Sequence, residues 1–202
     1  MWDNKPGIIK DMQEIIDILR GFGVKPFLWA GTLLGAVREG TFIANDDDID
    51  LAYISNFSNP QEVHEEMMEI YKKLFNMGLL ESYFDEDRVK IFDRVENTGM
   101  GQAHVIIDRT KEGVFLTDLF TMWIDKGRFF DPWFGDIGEA KEFVYKDGAV
   151  KLDGVEMPGL ENPLYLLEKF YGEDWRTPKQ QKGGGRNEFR LALKIARNEP
   201  TE

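Results

Sequence analysis

The amino-acid sequence predicts an α+β domain in which helices pack on a small mixed β-sheet. Two observations lead there. Apolar residues recur at three-to-four spacing in separate stretches, residues 8–22, 59–78 and 162–172, each bounded by capping or stop residues. Between them lie short runs, Phe27–Ala30, Asp48–Tyr53, Ala103–Asp108 and Val114–Ile124, that are apolar or alternate in polarity as strands do. With 202 residues, 42% of them hydrophobic, the chain is long enough for one well-buried core and short for two.

In the first helical stretch Ile8, Met12, Ile15, Ile16, Leu19 and Phe22 share a face, and Gly21 and Gly23 mark its end. This helix is expected to cover one face of the sheet. Next, the apolar run Phe27-Leu28-Trp29-Ala30 stops at Gly31-Thr32 and passes into Leu33-Leu34-Gly35-Ala36-Val37-Arg38, which reads as strand, tight turn and short helix. A helix N-terminus at that turn presents unpaired N–H groups and the positive end of the helix dipole, a ready site for a phosphate. Gly31 lets a phosphate approach the backbone, Thr32 adds a hydroxyl, and Arg38 adds a guanidinium fork. A lone Gly-Thr turn is usually only a turn.

Glu39-Gly40-Thr41 ends this helix, and four carboxylates then fall within five residues: Asp46, Asp47, Asp48 and Asp50. In an extended chain Asp48, Asp50 and Ala52 share one face, while Ile49, Leu51 and Tyr53 share the other, which turns to the core. Two like charges side by side on a strand repel, and a divalent cation between them is the simplest way to keep both ionised. Hard oxygen ligands suit magnesium or manganese, and such a cation neutralises a di- or triphosphate and stabilises in-line displacement at phosphorus. A calcium loop is excluded, because it needs Gly where Leu51 stands and Glu where Phe57 stands. Acidic runs alone are commonly solvated loops. The conjunction of the Gly-Thr turn with an Asp-x-Asp strand about twenty residues on is what points to a catalytic site.

Asn59 as cap, Pro60 at the first helical position and Glu62 in the first turn open a further helix, carried by Val63, Met67, Ile70, Tyr71 and Leu74 and stopped by Gly78. His64 falls in its polar first turn, where solvation is the ordinary fate. Strands are expected at Arg88–Val95, Ala103–Asp108 and Val114–Ile124. His104, in the second, reads by default as a satisfied, half-buried histidine. Asp118, in the third, is an isolated charge among Leu116, Thr117, Leu119 and Phe120, and burying it is costly unless a cation or hydrogen bonds compensate.

Trp123, Phe129, Phe130, Trp133 and Phe134 then crowd together, either as core or as a wall for a cation such as a quaternary ammonium. Asp147-Gly148 and Asp153-Gly154 mark turns between short strands, Phe143–Lys146, Val150–Leu152 and Val155–Met157. Asn162-Pro163 opens the helix Leu164–Tyr171, closed by Gly172. Residues 179–186 are basic and Gly-rich, a linker or a flap over phosphates, and Leu191, Leu193, Ile195 and Ala196 suggest a short terminal helix.

The chain carries 25 basic and 37 acidic residues, a net charge of −12, which makes nucleic acid or an anionic membrane surface a poor partner. There is no cysteine for a disulfide, no apolar run long enough for a transmembrane segment and no charged-then-apolar leader. A soluble, cytoplasmic protein is expected.

The string GTLLGAVREG followed by FIANDDDIDL resembles the signature of the LicD/fukutin family, which belongs to the nucleotidyltransferase-fold superfamily and transfers phospho-alcohols from CDP-linked donors to glycans. MPGLENPLYLLEKFYGEDWRTP resembles the same family's C-terminal segment, so the likeness runs from Phe27 to Pro178, densest at its two ends. The chain departs from the family at Ala30, where a second Gly is usual, at Glu39, often His, and at Ala44-Asn45, usually Pro-Trp. These departures leave the acidic ligands intact.

The resemblance implies a nucleotidyltransferase-like mixed sheet, with a catalytic domain over residues 1–178 and residues 179–202 as part of the same unit. It implies metal-dependent transfer of a phospho-alcohol, such as phosphocholine or ribitol phosphate, from a CDP-linked donor to a glycan or sugar hydroxyl, releasing CMP. In that scheme Gly31, Thr32 and Arg38 hold the donor phosphates, and Asp48 and Asp50 bind Mg2+ or Mn2+. Asp118 matches the third acidic residue that the superfamily places on a neighbouring strand, serving the metal or the acceptor hydroxyl. Two alternatives stand beside it: transfer of NMP to a small-molecule hydroxyl, and a catalytically inactive scaffold that binds nucleotide or glycan.

Overall fold

Helix α1, Lys5–Gly21, begins before its apolar stripe does, because Asn4 caps it: the Asn4 side chain accepts the Gly7 N–H at 3.3 Å, and Pro6 occupies the first turn. The computed structural model describes residues 4–44, 46, 48–79, 102–106, 116–132 and 134–178. The expected strand Arg88–Val95, Asp47, Trp133, the basic Gly-rich segment and the terminal helix lie outside the described residues.

Strand β1 spans Lys25–Leu28 and helix α2 spans Ala30–Arg38. Sequence spacing assigns Ala30 to the strand and opens the helix at Leu33. In the structure Trp29 is the last extended residue, and Ala30 itself makes the turn at φ +36°, starting the helix three residues earlier. An alanine in left-handed backbone costs roughly 1–2 kcal/mol.

Strand β2 is Ile49–Ile54, and α3 is Pro60–Asn76, capped by the Asn59 side chain, which accepts the Gln61 N–H at 2.9 Å. Then come β3, Gln102–Ile106, and the long β4, Leu116–Asp125. Beyond the Lys126-Gly127 turn follow β5, Arg128–Asp131, β6, Gly135–Glu139, and a short 3-10 turn. The hairpin β7, Tyr145–Leu152, with β8, Val155–Leu160, leads to α4, Pro163–Tyr171.

These elements form the predicted α+β architecture, with a mixed six-stranded sheet ordered β1-β2-β4-β5-β6, β3 also pairing β4, and a separate two-stranded sheet of β7 and β8. Among the described residues, only β2 and β4 pair in parallel. Residues 117–120 of β4 pair with both β2 and β3, so this half of β4 is central, with a neighbour on each edge. The α3 helix packs on the Tyr53 face of β2 and β4: Tyr71 donates to the Leu119 carbonyl at 3.3 Å, and Thr121 donates to the Tyr53 hydroxyl at 2.8 Å. Asp50 and Asp118 point from the opposite face.

One hairpin of the second half had no sequence signal, and one expected turn is corrected. The hairpin of β5 and β6 was hidden by Gly135 and Gly138, both at positive φ, and by a register shift at Phe129/Phe130 that breaks the alternation. Asp147-Gly148 is no turn but a bulge inside β7, where the register shifts between Lys146 and Val150 and Gly148 takes φ +63°. Asp153-Gly154 does make the β7–β8 turn.

Of the described aromatic stretch, Trp123, Phe129 and Phe134 are core. Trp29 meets Phe27 edge-on at 5.6 Å and Phe170 at 5.4 Å, and it lies 6.5 Å from Phe129, which stacks on Phe143 at 4.6 Å. These rings tie the sheet to α4 and bury Trp123, Phe129 and Phe134, while Phe130 is half-buried and stacks on Trp123. Among the described residues no helix is long and apolar enough to cross a membrane.

Candidate metal centre

Strand register places two carboxylates in one row. Asp50 on β2 is the direct partner of Asp118 on the parallel strand β4, and Asp48 lies two residues before Asp50, on the same side of the extended chain. One carboxylate oxygen from each of Asp48, Asp50 and Asp118 falls within 4.8 Å of the other two. Three negative groups this close repel, and an all-oxygen donor set of this kind fits a hard divalent cation such as magnesium or manganese. Mg2+ binds oxygen at about 2.1 Å, so it would need only a small closure of the trio.

Asp50 is firmly held. It is 2% exposed, and three residues of the strand-to-helix turn hold it. The Trp29 N–H donates to its carbonyl at 3.0 Å, its own N–H donates to Thr32 Oγ1 at 2.9 Å, and the Gly31 N–H donates to its carboxylate Oδ2 at 2.8 Å. Charged acceptors of this kind at a helix N-terminus gain from the dipole as well as from the bond. The turn can do this because Ala30 reverses the chain, so that the first N–H groups of α2 look across to β2.

Gly31 also supports a fourth carboxylate. A Cβ added there would lie 2.7 Å from Asp46 Oδ2 and 3.1 Å from Asp50 Oδ2, so both side chains rest against the bare glycine backbone. Asp46 therefore belongs to the cluster's surroundings.

Of the residues that the sequence assigns to donor phosphates, Gly31 and Thr32 reach the centre, but their contacts run to Asp50. Thr32 is 3% exposed, and its hydroxyl is taken up by the Asp50 backbone. Nothing in local sequence signals this contact across the fold. Arg38 sits on the last turn of α2, about 10 Å of helix beyond Gly31. Its Nε and Nη2 both reach Glu39 Oε1, at 3.1 and 2.6 Å. The structure thus does not bring Arg38 into the carboxylate trio. His104 stands opposite Asp118 in the register of β3 and β4, while His64 is on α3, whose packing face is the other side of the sheet.

Beneath the trio lies the polar pair of buried tyrosines. Burial pushes the Tyr71 hydroxyl up, against a smaller opposing effect of a hydrogen bond with Thr121, and the negative charge of Asp118 pushes it further. Burial likewise pushes Tyr53 well up. Both stay protonated at neutral pH and add no charge to the cluster.

The family model described as LicD/FKTN/FKRP, nucleotidyltransferase domain, matches residues 23–147, a span that holds the Gly31-Thr32 turn, Asp46 to Asp50 and Asp118. No curated protein matches the chain. With well over half of its 202 residues matched, the chain belongs to the LicD/FKTN/FKRP nucleotidyltransferase-domain family, a family of phospho-alcohol transferases.

Proposed function

We propose that this protein transfers a phospho-alcohol from a CDP-linked donor to a sugar or glycan hydroxyl, with Mg2+ or Mn2+ bound by Asp48, Asp50 and Asp118. The meeting of these carboxylates within 4.8 Å, beside the N-terminus of α2, is the observation that supports it most. A divalent cation bound there would neutralise the donor diphosphate and make the reacting phosphorus more electrophilic.

The chain's own residues do the rest by positioning. Trp29, Gly31 and Thr32 fix Asp50 before the donor arrives, so little reorganisation is left for the reaction itself. Asp118, on the neighbouring strand, would orient the acceptor hydroxyl or share in metal binding. The acceptor oxygen bonds to the phosphorus that carries the alcohol, the bond from that phosphorus to CMP breaks, and the hydroxyl proton passes to a carboxylate or to water. Arg38 would act on charge at the outer part of the donor. Because Trp123, Phe129 and Phe134 are buried in the core, a polar alcohol such as ribitol or glycerol is favoured over choline.

The test uses CDP-ribitol and CDP-choline, labelled separately in cytidine and in the alcohol phosphate, and cytidine-labelled CTP, with Mg2+ and a sugar acceptor. Alcohol label should appear on the acceptor and cytidine label as CMP. Cytidine label on the acceptor would establish NMP transfer instead. Tight donor binding without Mg2+ and without turnover would establish a scaffold.

A further inference from the structure

Two segments outside the matched span meet on the loop that delivers the acidic ligands. After α2 the chain reverses at Gly40, φ +69°, and residues 41–43 run back against α2. Gly35 makes this possible: a Cβ there would lie 2.6 Å from the Thr41 carbonyl oxygen and 3.2 Å from the Ile43 nitrogen. The loop is then pinned from outside. The Thr41 hydroxyl donates to the Asp153 carboxylate, at 2.8 Å to Oδ1 and 2.9 Å to Oδ2, and accepts from Lys5 Nζ at 2.7 Å. The Asp153 N–H donates to the Gly40 carbonyl at 2.8 Å, and Lys5 Nζ lies 3.7 Å from Asp153 Oδ1.

The family match covers residues 23–147, so Lys5, on the first turn of α1, and Asp153, at the tip of the β7–β8 hairpin, both fall outside it. Asp153 adopts φ +47°, a conformation uncommon for a non-glycine residue, and its backbone and side chain both face the loop. The loop therefore has one anchor at Thr41 and another where Asp46 rests on Gly31, and Asp48 follows two residues after Asp46.

We infer that Lys5, Thr41 and Asp153 form a brace that positions Asp46 and, beyond it, Asp48, so that the segments flanking the matched domain tune metal affinity at the acidic centre. This rests on the metal-binding reading proposed above. The three act as positioning residues and touch neither donor nor acceptor. Loosening the brace leaves the core intact and lets the chain that leads to Asp46 and Asp48 shift, which weakens metal binding at the trio, by less than the loss of a group bonded directly to a ligand would.

The experiment titrates the full-length chain with Mn2+ alone, following free Mn2+ by electron paramagnetic resonance, alongside the melting temperature of the metal-free protein. The variants are Thr41→Val and Asp153→Asn, with Asp147→Asn as control. Asp147 lies on the same hairpin and pairs with Arg20 of α1, away from the loop. The expected result is a Mn2+ dissociation constant raised about threefold to tenfold in both brace variants, at or below the roughly 10–100-fold lost when a group bonded directly to a ligand is removed. The control should stay at the wild-type value, with all melting temperatures within a few degrees of one another. Unchanged affinity in Thr41→Val and Asp153→Asn, or an equal loss in Asp147→Asn, would overturn the inference and leave the contacts as ordinary surface bracing. Wild-type protein that binds no Mn2+ would overturn the metal reading itself, and the brace's role with it.

Discussion

The backbone N–H of Gly31 donates to the Asp50 carboxylate at 2.8 Å, across 19 residues of sequence. This bond makes the strand-to-helix turn and the acidic strand one mechanical unit. The feature of the sequence that suggests a phosphate site is, in the folded chain, also the support of Asp50, the proposed metal ligand. Donor and cation would then be held by the same few residues, and damage to the turn should appear as damage to metal binding.

Gly31→Ala is the sharpest probe of that unit. The added methyl would lie 2.7 Å from Asp46 Oδ2 and 3.1 Å from Asp50 Oδ2, so the carboxylates must move. Overpacking of this kind typically costs about 1–3 kcal/mol. Calorimetric titration with Mn2+ should show affinity reduced by about tenfold or more, the range seen when support for a metal ligand is lost.

Thr32→Val removes the acceptor of the buried Asp50 N–H while keeping the shape of the side chain. A buried donor left unsatisfied costs about 1–3 kcal/mol, which differential scanning calorimetry should record as a melting point lower by several degrees. Thr32→Ser keeps the hydroxyl and should restore most of the loss. Equal melting points for the Val and Ser variants would show that the bond contributes nothing.

Stability at alkaline pH should fall because of Tyr53 and Tyr71. Burial raises both hydroxyls above their ordinary value of 10.0, so the neutral form is the one the fold accepts. Their contribution is complete below the unfolded value and is lost as pH rises beyond about 10, by about 1.4 kcal/mol per pH unit for each tyrosine that ionises on unfolding. Urea unfolding of wild type between about pH 9 and pH 11 should show this slope, and Tyr53→Phe and Tyr71→Phe should each flatten it.

What was legible in the sequence was whatever depends on spacing and capping. The alternation from Asp48 to Tyr53 fixed which residues of β2 share a face, and the lone charge of Asp118 in an apolar run marked it as needing compensation. Asn59-Pro60 and Asn162-Pro163 gave helix starts that the structure confirms within a residue. The hairpin of β5 and β6 was illegible because Gly135 and Gly138 replace the side chains that alternation is read from. Asp147-Gly148 carries the same dipeptide signal as Asp153-Gly154, and only the pairing of β7 with β8 makes one a bulge and the other a turn. At the candidate site, the hold of Gly31 and Thr32 on Asp50 and the brace on Thr41 join distant parts of the chain, and no local pattern encodes such contacts. Arg38 looked close to the turn in sequence, but nine residues of helix place it at the other end.

The most direct measurement follows a CDP-linked alcohol and a sugar acceptor by 31P NMR, comparing wild type, Asp50→Asn and Asp118→Asn with Mg2+ or with excess chelator. These Asn variants keep side-chain volume and relieve charge repulsion in the metal-free protein, so they should fold with unchanged or higher melting points. Wild type with Mg2+ should convert the donor diphosphate into CMP and a sugar phosphodiester, while chelation or either substitution should cut the rate by at least about a hundredfold, on the order of 2.7 kcal/mol in the barrier. Conversion at near wild-type rate by Asp50→Asn or Asp118→Asn, or by wild type in chelator, would contradict a catalytic metal held by these carboxylates.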